Sequence, residues 1–222
     1  MRALLVCAAP VVGTCELLGR LAASVDFVIA VDGGGAVCLE AGVQPDVVVG
    51  DMDSLAPGDL DRLRELGADI YQFSADKDAS DLELAVIEAR RRGATSIVVT
   101  AASSGRPDHA LAALGVMLSA RDLSPHLAEP EVDIWVLSTQ GRALLSLEGE
   151  GATVSLVAFG SSAVVSVKGV VWELDEIGLD PTSSLGLSNR IGDGGCAQIA
   201  VSEGVILAIA PQVNGAVRAQ AI

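Results

Sequence analysis

The chain has 222 residues, half of them apolar but only 3% aromatic, and a net charge of −15 at pH 7. Its 14 Lys and Arg against 29 Asp and Glu exclude the clustered basic surface that holds nucleic acid or acidic membranes, so neither partner is expected. A chain of this length buries roughly 70% of its unfolded surface without metal or disulfide staples, and a Val, Leu, Ile and Ala core suits α/β proteins with buried parallel strands.

Up to about Ala120, short β-branched runs alternate with segments of helical spacing. "ALLVCAA", "VDFVIAV", "PDVVVG", "ADIYQF" and "TSIVVTA" read as strands; "DLDRLRELG" and "DLELAVIEARRRG" read as helices. This alternation predicts parallel strands joined by right-handed crossovers, with helices on both faces. The opening "LLVC" (Leu4 to Cys7) has too little chain before it for a signal sequence and reads as the first buried strand. No apolar run approaches the ~20 residues that span a bilayer. Cys7, Cys15, Cys38 and Cys196 show neither CxxC pairing nor zinc-ligand spacing, so they read as free thiols in a reducing, cytoplasmic compartment.

"RDLSPHLAEP", Arg121 to Pro130, reads as a linker. Beyond it, "DIWVLST", "RALLSLEG", "ATVSLVAFG", "AVVSVKGVVWELD", "CAQIAVS" and "VILAIAP" are strand-like runs broken by Gly, Ser and Asn. The expected architecture is α/β: an N-terminal parallel-sheet, Rossmann-like domain over residues 1–125, then a C-terminal all-β sandwich over 131–222.

Ligands of open α/β sheets bind beyond the carboxyl ends of the strands, so polar residues there come first. "VDGGGA" sets Asp32 at the tip of the second strand, with glycines at 33 to 35 where the backbone turns or approaches a ligand. Alone, Asp32 is as well explained by a turn or helix cap. No GxGxxG or GxxxxGK[ST] motif occurs. "VVVGDMDSL" follows the third strand, and in extended chain Asp51 and Asp53 project to one side while Met52 turns inward. Two carboxylates so close repel unless a cation sits between them, and Mg²⁺ prefers such oxygen ligands; the alternative is that Asp53 and Ser54 cap the next helix. In "DKDASDLELA", Ser80 and Glu83 form a capping box and Asp81 falls in the first helical turn, either as a dipole partner or as a metal ligand; Lys77 beside it suits a phosphate. In "SSGRPDHALAAL", Arg106 suits bidentate phosphate binding, Asp108 could orient it, and His109 is equally a capping residue.

Taken in order, "VDGGGA", "PDVVVGDMDSL", "DKDASDLELA", "GRPDH", "GVVWEL" and "LSN" resemble the thiamine pyrophosphokinase (thiamine diphosphokinase) family over nearly the whole chain, from the second strand to about Asn189. The resemblance implies transfer of a pyrophosphoryl group from ATP to the hydroxyl of thiamine, releasing AMP. It implies that Asp32, Asp51, Asp53 and Asp81 hold Mg²⁺ and through it the phosphates, with Gly33, Gly34, Lys77, Arg106 and His109 around the nucleotide. Asp51, Asp53, Asp81 and Asp108 are the implied catalytic set, with Asp81 or Asp108 accepting the hydroxyl proton. It further implies that residues 1–125 bind nucleotide and metal, and that residues 131–222 bind thiamine and dimerise. Trp172, Ser188 and Asn189 would line the thiamine pocket, at the junction of one subunit's α/β domain with the other's β domain in a homodimer. By its local pattern alone, Trp172 reads equally as a core or interface residue, and "SNRIGDGG" as a polar turn.

Departures are the loop "AASS" where the family usually has a glycine-rich run, Ala113 for an asparagine, and Ser80 for a threonine. The competing expectations are a pyrophosphokinase acting on another heterocyclic alcohol, such as a pterin, and a catalytically silent nucleotide-binding protein.

Overall fold

A computed structural model describes residues 1–76, 78–212 and 217–219; Lys77 lies outside the described residues. The chain divides into two compact units, residues 1–123 with 127–130, and residues 124–126 with 131 onward.

The first unit runs β1 (Arg2–Val6), α1 (Thr14–Ala22), β2 (Phe27–Val31), α2 (Gly34–Glu40), β3 (Val47–Gly50), α3 (Pro57–Glu65), β4 (Asp69–Gln72), α4 (Asp81–Arg91), β5 (Ser96–Thr100) and α5 (Pro107–Ser119), followed by the short β6 (His126–Ala128). The strand order is β6-β5-β1-β2-β3-β4, and the five strands from β5 to β4 are parallel. Every residue of β2 and β3 is buried, as the unbroken apolar runs require when helices cover both faces. α4 begins on the expected capping box: the Glu83 N–H donates to Ser80 Oγ at 3.3 Å, and the Ser80 N–H donates to the Glu83 carboxylate at 2.7 Å.

The segment read as a linker is structured. Leu123, Leu127 and Ala128 are buried, and the chain between them forms a 3₁₀ turn and β6. Its two prolines and mixed charge masked three apolar residues that the folded chain buries.

The far end of α4 is tied to β4 by ions. Glu88 is 8% exposed and accepts from both Arg91 and Arg92, at 2.6 to 2.7 Å, while Arg92 reaches Asp69 of β4 at 2.6 Å. The hydrogen bond from Arg91, with further help from Arg92, holds the Glu88 carboxyl below its ordinary value of 4.5. A depressed carboxyl stabilises the fold above its unfolded value and loses that contribution as pH falls. Glu88→Ala is therefore expected to cost about 1–3 kcal/mol near neutrality. The deficit should shrink as pH drops below about 4.5, read by urea unfolding at a series of pH values.

The second unit is all β. It contains β7 (Val132–Ser138), β8 (Leu144–Glu148), β9 (Thr153–Ala158), β10 (Ala163–Lys168), β11 (Leu174–Leu179), β12 (Asn189–Arg190), β13 (Cys196–Glu203), β14 (Val205–Pro211) and β15 (Arg218–Ala219). Strands β12-β9-β14-β7 and β11-β10-β13-β8-β15 form antiparallel layers. Alternate residues such as Leu137, Leu156 and Ile206 on one layer, and Leu145, Val165 and Ile199 on the other, share one core, which makes this unit the expected sandwich. "AVVSVKGVVWELD" is not one strand: β10 stops at Lys168 because Gly169 turns with φ 75°, and a Cβ there would stand 2.0 Å from the Cys196 carbonyl oxygen. That break puts Trp172 in the connection to β11.

Candidate active site

Register brings the strand-tip carboxylates of the first unit together. Val31 pairs with Val49, so Asp32 and Gly50 leave β2 and β3 side by side, and the Asp32 N–H donates to the Val49 carbonyl at 2.7 Å. A Cβ on residue 50 would stand 2.7 Å from that of Asp32, so only glycine permits the approach. The Met52 N–H then donates to Asp32 Oδ1 at 3.1 Å, and the Asp53 N–H to Asp51 Oδ1 at 3.2 Å. Carboxylate oxygens of Asp32, Asp51 and Asp53 come within 4.8 Å of one another. Met52 packs in the core as expected, but the shared orientation of Asp51 and Asp53 does not come from extended chain. β3 ends at Gly50, and Met52 sits at φ 69° in a turn.

Asp53 and Ser54 do not cap α3. That helix starts at Pro57 without a side-chain cap, and the Ser54 hydroxyl instead donates to Asp53 at 2.9 Å. Three like charges this close favour a hard cation, whose oxygen-donor preference the set matches.

Asp81 stands outside this 4.8 Å set. It lines, with Asp32, Ser54 and Ser80, a cleft of about 620 Å³ whose other polar wall carries Arg106 and His109. The rest of the wall is small and apolar, with Ala8, Ala9, Pro10, Val31 and Ala112, and Ala113 is part of it. Asp32 thus belongs to both the acidic cluster and the cleft. Gly33 and Gly34 do not line the cleft. Their lack of side chains serves packing, since a Cβ on Gly34 would lie 1.8 Å from the Val6 carbonyl oxygen and one on Gly33 would lie 3.0 Å from Ala8 Cβ.

Arg106 binds Asp108 at 2.6 and 3.2 Å, and both are exposed. The Arg106 hydrogen bond holds the Asp108 carboxyl down to about 2. Cys7, also in the cleft, is the opposite case: burial, then the charges of Glu129 and Asp81, push its thiol up to about 12, so it stays protonated and unreactive at neutral pH.

Glu129, unassigned from sequence, is 4% exposed and accepts from the N–H groups of Ala101, Ala102 and Ser103 at 3.2, 2.8 and 3.2 Å. Only the buried apolar residues around it mark it in the sequence.

In the second unit Trp172 is 58% exposed, not a core residue. The Asn189 side chain clamps its backbone from both sides, accepting from the Trp172 N–H at 3.2 Å and donating to its carbonyl at 2.7 Å. Ser188, at φ 57°, precedes that asparagine and donates its N–H to Ser155 Oγ at 3.0 Å. The Arg190 guanidinium lies 5.9 Å from the centre of the Trp172 ring. The three residues singled out in this half of the chain are therefore neighbours.

Carboxylates gathered at the carboxyl ends of a parallel sheet, with Arg106 among the residues lining the adjoining cleft, mark the place where open α/β domains bind ligands. Comparison with known proteins narrows this class. Residues 18–127 match the model for the thiamin pyrophosphokinase catalytic domain, and residues 143–206 match that for the thiamin pyrophosphokinase vitamin B1 binding domain. The chain belongs to the thiamin pyrophosphokinase family. Thiamine pyrophosphokinase 1 of Oryza sativa subsp. japonica is 30% identical over 157 residues, covering 67% of this chain and 60% of that protein. The Arabidopsis thaliana protein of the same name is 28% identical over 170 residues, covering 70% and 64%. The match thus spans less than two thirds of either relative's length. The crystal structure of thiamine pyrophosphokinase from Bacillus subtilis superposes with a TM-score of 0.79 over 95% of this chain and 99% of that one, at 21% identity, which establishes a shared fold. No helix among the described residues is long and apolar enough to cross a membrane.

Proposed function

We propose that the chain transfers a pyrophosphoryl group from ATP to the hydroxyl of thiamine, giving thiamine diphosphate and AMP, with Mg²⁺ as the cofactor and a cytoplasmic homodimer as the working form. The observation that carries this reading is the convergence of Asp32, Asp51 and Asp53 within 4.8 Å, with Asp32 shared by a cleft that Arg106 also lines. Family membership supplies the thiamine acceptor.

Phosphoryl chemistry of this kind needs mainly positioning and charge neutralisation from protein. In this reading Asp32, Asp51 and Asp53 hold the cation, and Asp81, on the first turn of α4, faces the phosphates across the cleft. Bound there, Mg²⁺ would neutralise the phosphate oxygens and withdraw charge from the departing AMP. Without a cation, a chain of charge −15 repels a polyphosphate. Arg106 holds the phosphates from the opposite wall, and Asp108 orients its guanidinium. Asp108 is a poor proton acceptor, because a carboxyl held at about 2 has little proton affinity. Asp81 is the better assignment for receiving the thiamine hydroxyl proton. Trp172, with Ser188 and Asn189, receives the thiamine rings.

Incubation of the protein with thiamine, ATP and Mg²⁺ is expected to give thiamine diphosphate and AMP in equal amounts. Formation of ADP, or turnover of a hydroxymethylpterin in preference to thiamine, would replace this reading, and tight Mg²⁺–ATP binding without turnover of any acceptor would make the protein a silent binder. Asp108 remains ionised until the pH nears about 2, well below its ordinary 3.8. Asp108→Asn is therefore expected to leave any acid limb of the pH–rate profile in place and to raise the KM for ATP by about three- to tenfold through a misoriented Arg106. Disappearance of the acid limb would assign the titrating group to Asp108 instead.

A further inference from the structure

The loop between β5 and α5 lines the cleft that the proposed function gives to the nucleotide.

 

Ala101 holds a left-handed backbone, φ 55°, which a residue with a Cβ resists, and Ala101 and Ala102 are both buried. Five hydrogen bonds fix the loop. Ser104 Oγ donates to the Ala9 carbonyl at 2.6 Å, the Ala9 N–H donates to the Ala101 carbonyl at 2.8 Å, and Glu129 takes the three successive N–H groups of residues 101 to 103. Consecutive N–H groups converging on one anion form a nest, and here the anion is a side chain of the same unit. Glu129 does not line the cleft, whereas Ala101, Ala102, Ser104 and Arg106 do.

We infer that Glu129 is a positioning residue for the phosphate wall: its carboxylate holds the strained 101–103 loop, and through that loop sets the start of α5 and Arg106. The inference rests on the nucleotide-binding part of the function proposed above. At Ala101 the carboxylate supplies the constraint for a left-handed backbone that a glycine would adopt unaided. Burial pushes the Glu129 carboxyl up, and the three N–H donors pull it back toward the charged form they bind.

The test is equilibrium binding of Mg²⁺–ATP to the full chain, with steady-state KM values for ATP and thiamine. Glu129→Ala is expected to weaken Mg²⁺–ATP binding about tenfold and to leave the thiamine KM within about twofold. Ala101→Gly in the same chain should recover most of that loss, so that removing Glu129 from the glycine parent costs less than about threefold, since glycine needs no partner to hold this backbone. Glu129→Gln keeps the acceptor oxygen for Ala102 and Ser103, gives an intermediate effect, and is the variant to read if Glu129→Ala does not fold. Unchanged Mg²⁺–ATP affinity in a folded variant would overturn the inference, as would equal losses for both substrates that Ala101→Gly does not relieve. Amide hydrogen exchange at residues 101 to 103, without nucleotide, separates the two readings. Faster exchange in Glu129→Gln supports the holding role and unchanged exchange overturns it, whereas a wild-type chain that binds no Mg²⁺–ATP overturns the nucleotide reading itself.

Discussion

Asp53→Asn is expected to lower turnover by a factor on the order of 10³ while leaving the protein folded. Asp53 is exposed at the end of a turn, and its side chain accepts only from the neighbouring Ser54 hydroxyl among the hydrogen bonds described, so the fold gains little from its charge. Its carboxylate also lies within 4.8 Å of those of Asp32 and Asp51, where like charges repel. With the cation chelated away, removing one of the three charges should therefore keep the melting temperature level or raise it. Addition of Mg²⁺ should raise the melting temperature of the wild-type protein, because a ligand that binds only the native state stabilises it by mass action, and Asp53→Asn should lose most of that rise. The combination of lost turnover, lost Mg²⁺ response and an undiminished melting temperature in chelator identifies a cation ligand. A melting temperature that falls equally with and without Mg²⁺ would make Asp53 a structural residue and remove the cation from its side chain.

Trp172→Ala is expected to raise the KM for thiamine by about tenfold or more, with the KM for ATP moving less than about twofold. The ring is 58% exposed, so its removal leaves no core cavity, and stability should change by no more than about 0.5 kcal/mol. What the ring offers is a flat, electron-rich face on a backbone that Asn189 fixes with two hydrogen bonds. Thiamine carries a positively charged thiazolium ring, and the Arg190 guanidinium already lies 5.9 Å from the ring centre, within reach of a cation–π contact. Equal rises in both KM values, or a loss of stability beyond a surface substitution, would remove Trp172 from the thiamine site.

The strand-tip aspartates were legible because β2 and β3 announce themselves as unbroken valine-rich runs, and a parallel sheet fixes where such runs end. The capping box at Ser80 was legible for a similar reason, since it is a local pattern that needs no distant partner. Contacts between distant segments were not. Glu129 meets residues 101 to 103 only after β6 has docked beside β5, and a Glu-Pro pair after a short apolar run looks like a linker. At Gly34 sequence cannot tell a ligand from the Val6 carbonyl that crowds the site of a missing Cβ, and at Gly33 the crowding comes from Ala8 and Ser54. Asp81 falls outside the tight carboxylate set since it starts a helix, α4, rather than ending a strand, which strand-end reasoning does not resolve. Trp172 alternates with valines in the sequence, and only the turn at Gly169 takes it out of the strand.

Asp32, Met52 and Ala101, all with left-handed backbones and none of them glycine, stand within two residues of the ends of β2, β3 and β5. Each such residue costs roughly 1–3 kcal/mol, drawn from a total of only about 5–15 for a domain. Selection for heat resistance alone would thus relax these corners, and a thermostabilised descendant would melt later yet hold the carboxylates at the strand ends less firmly.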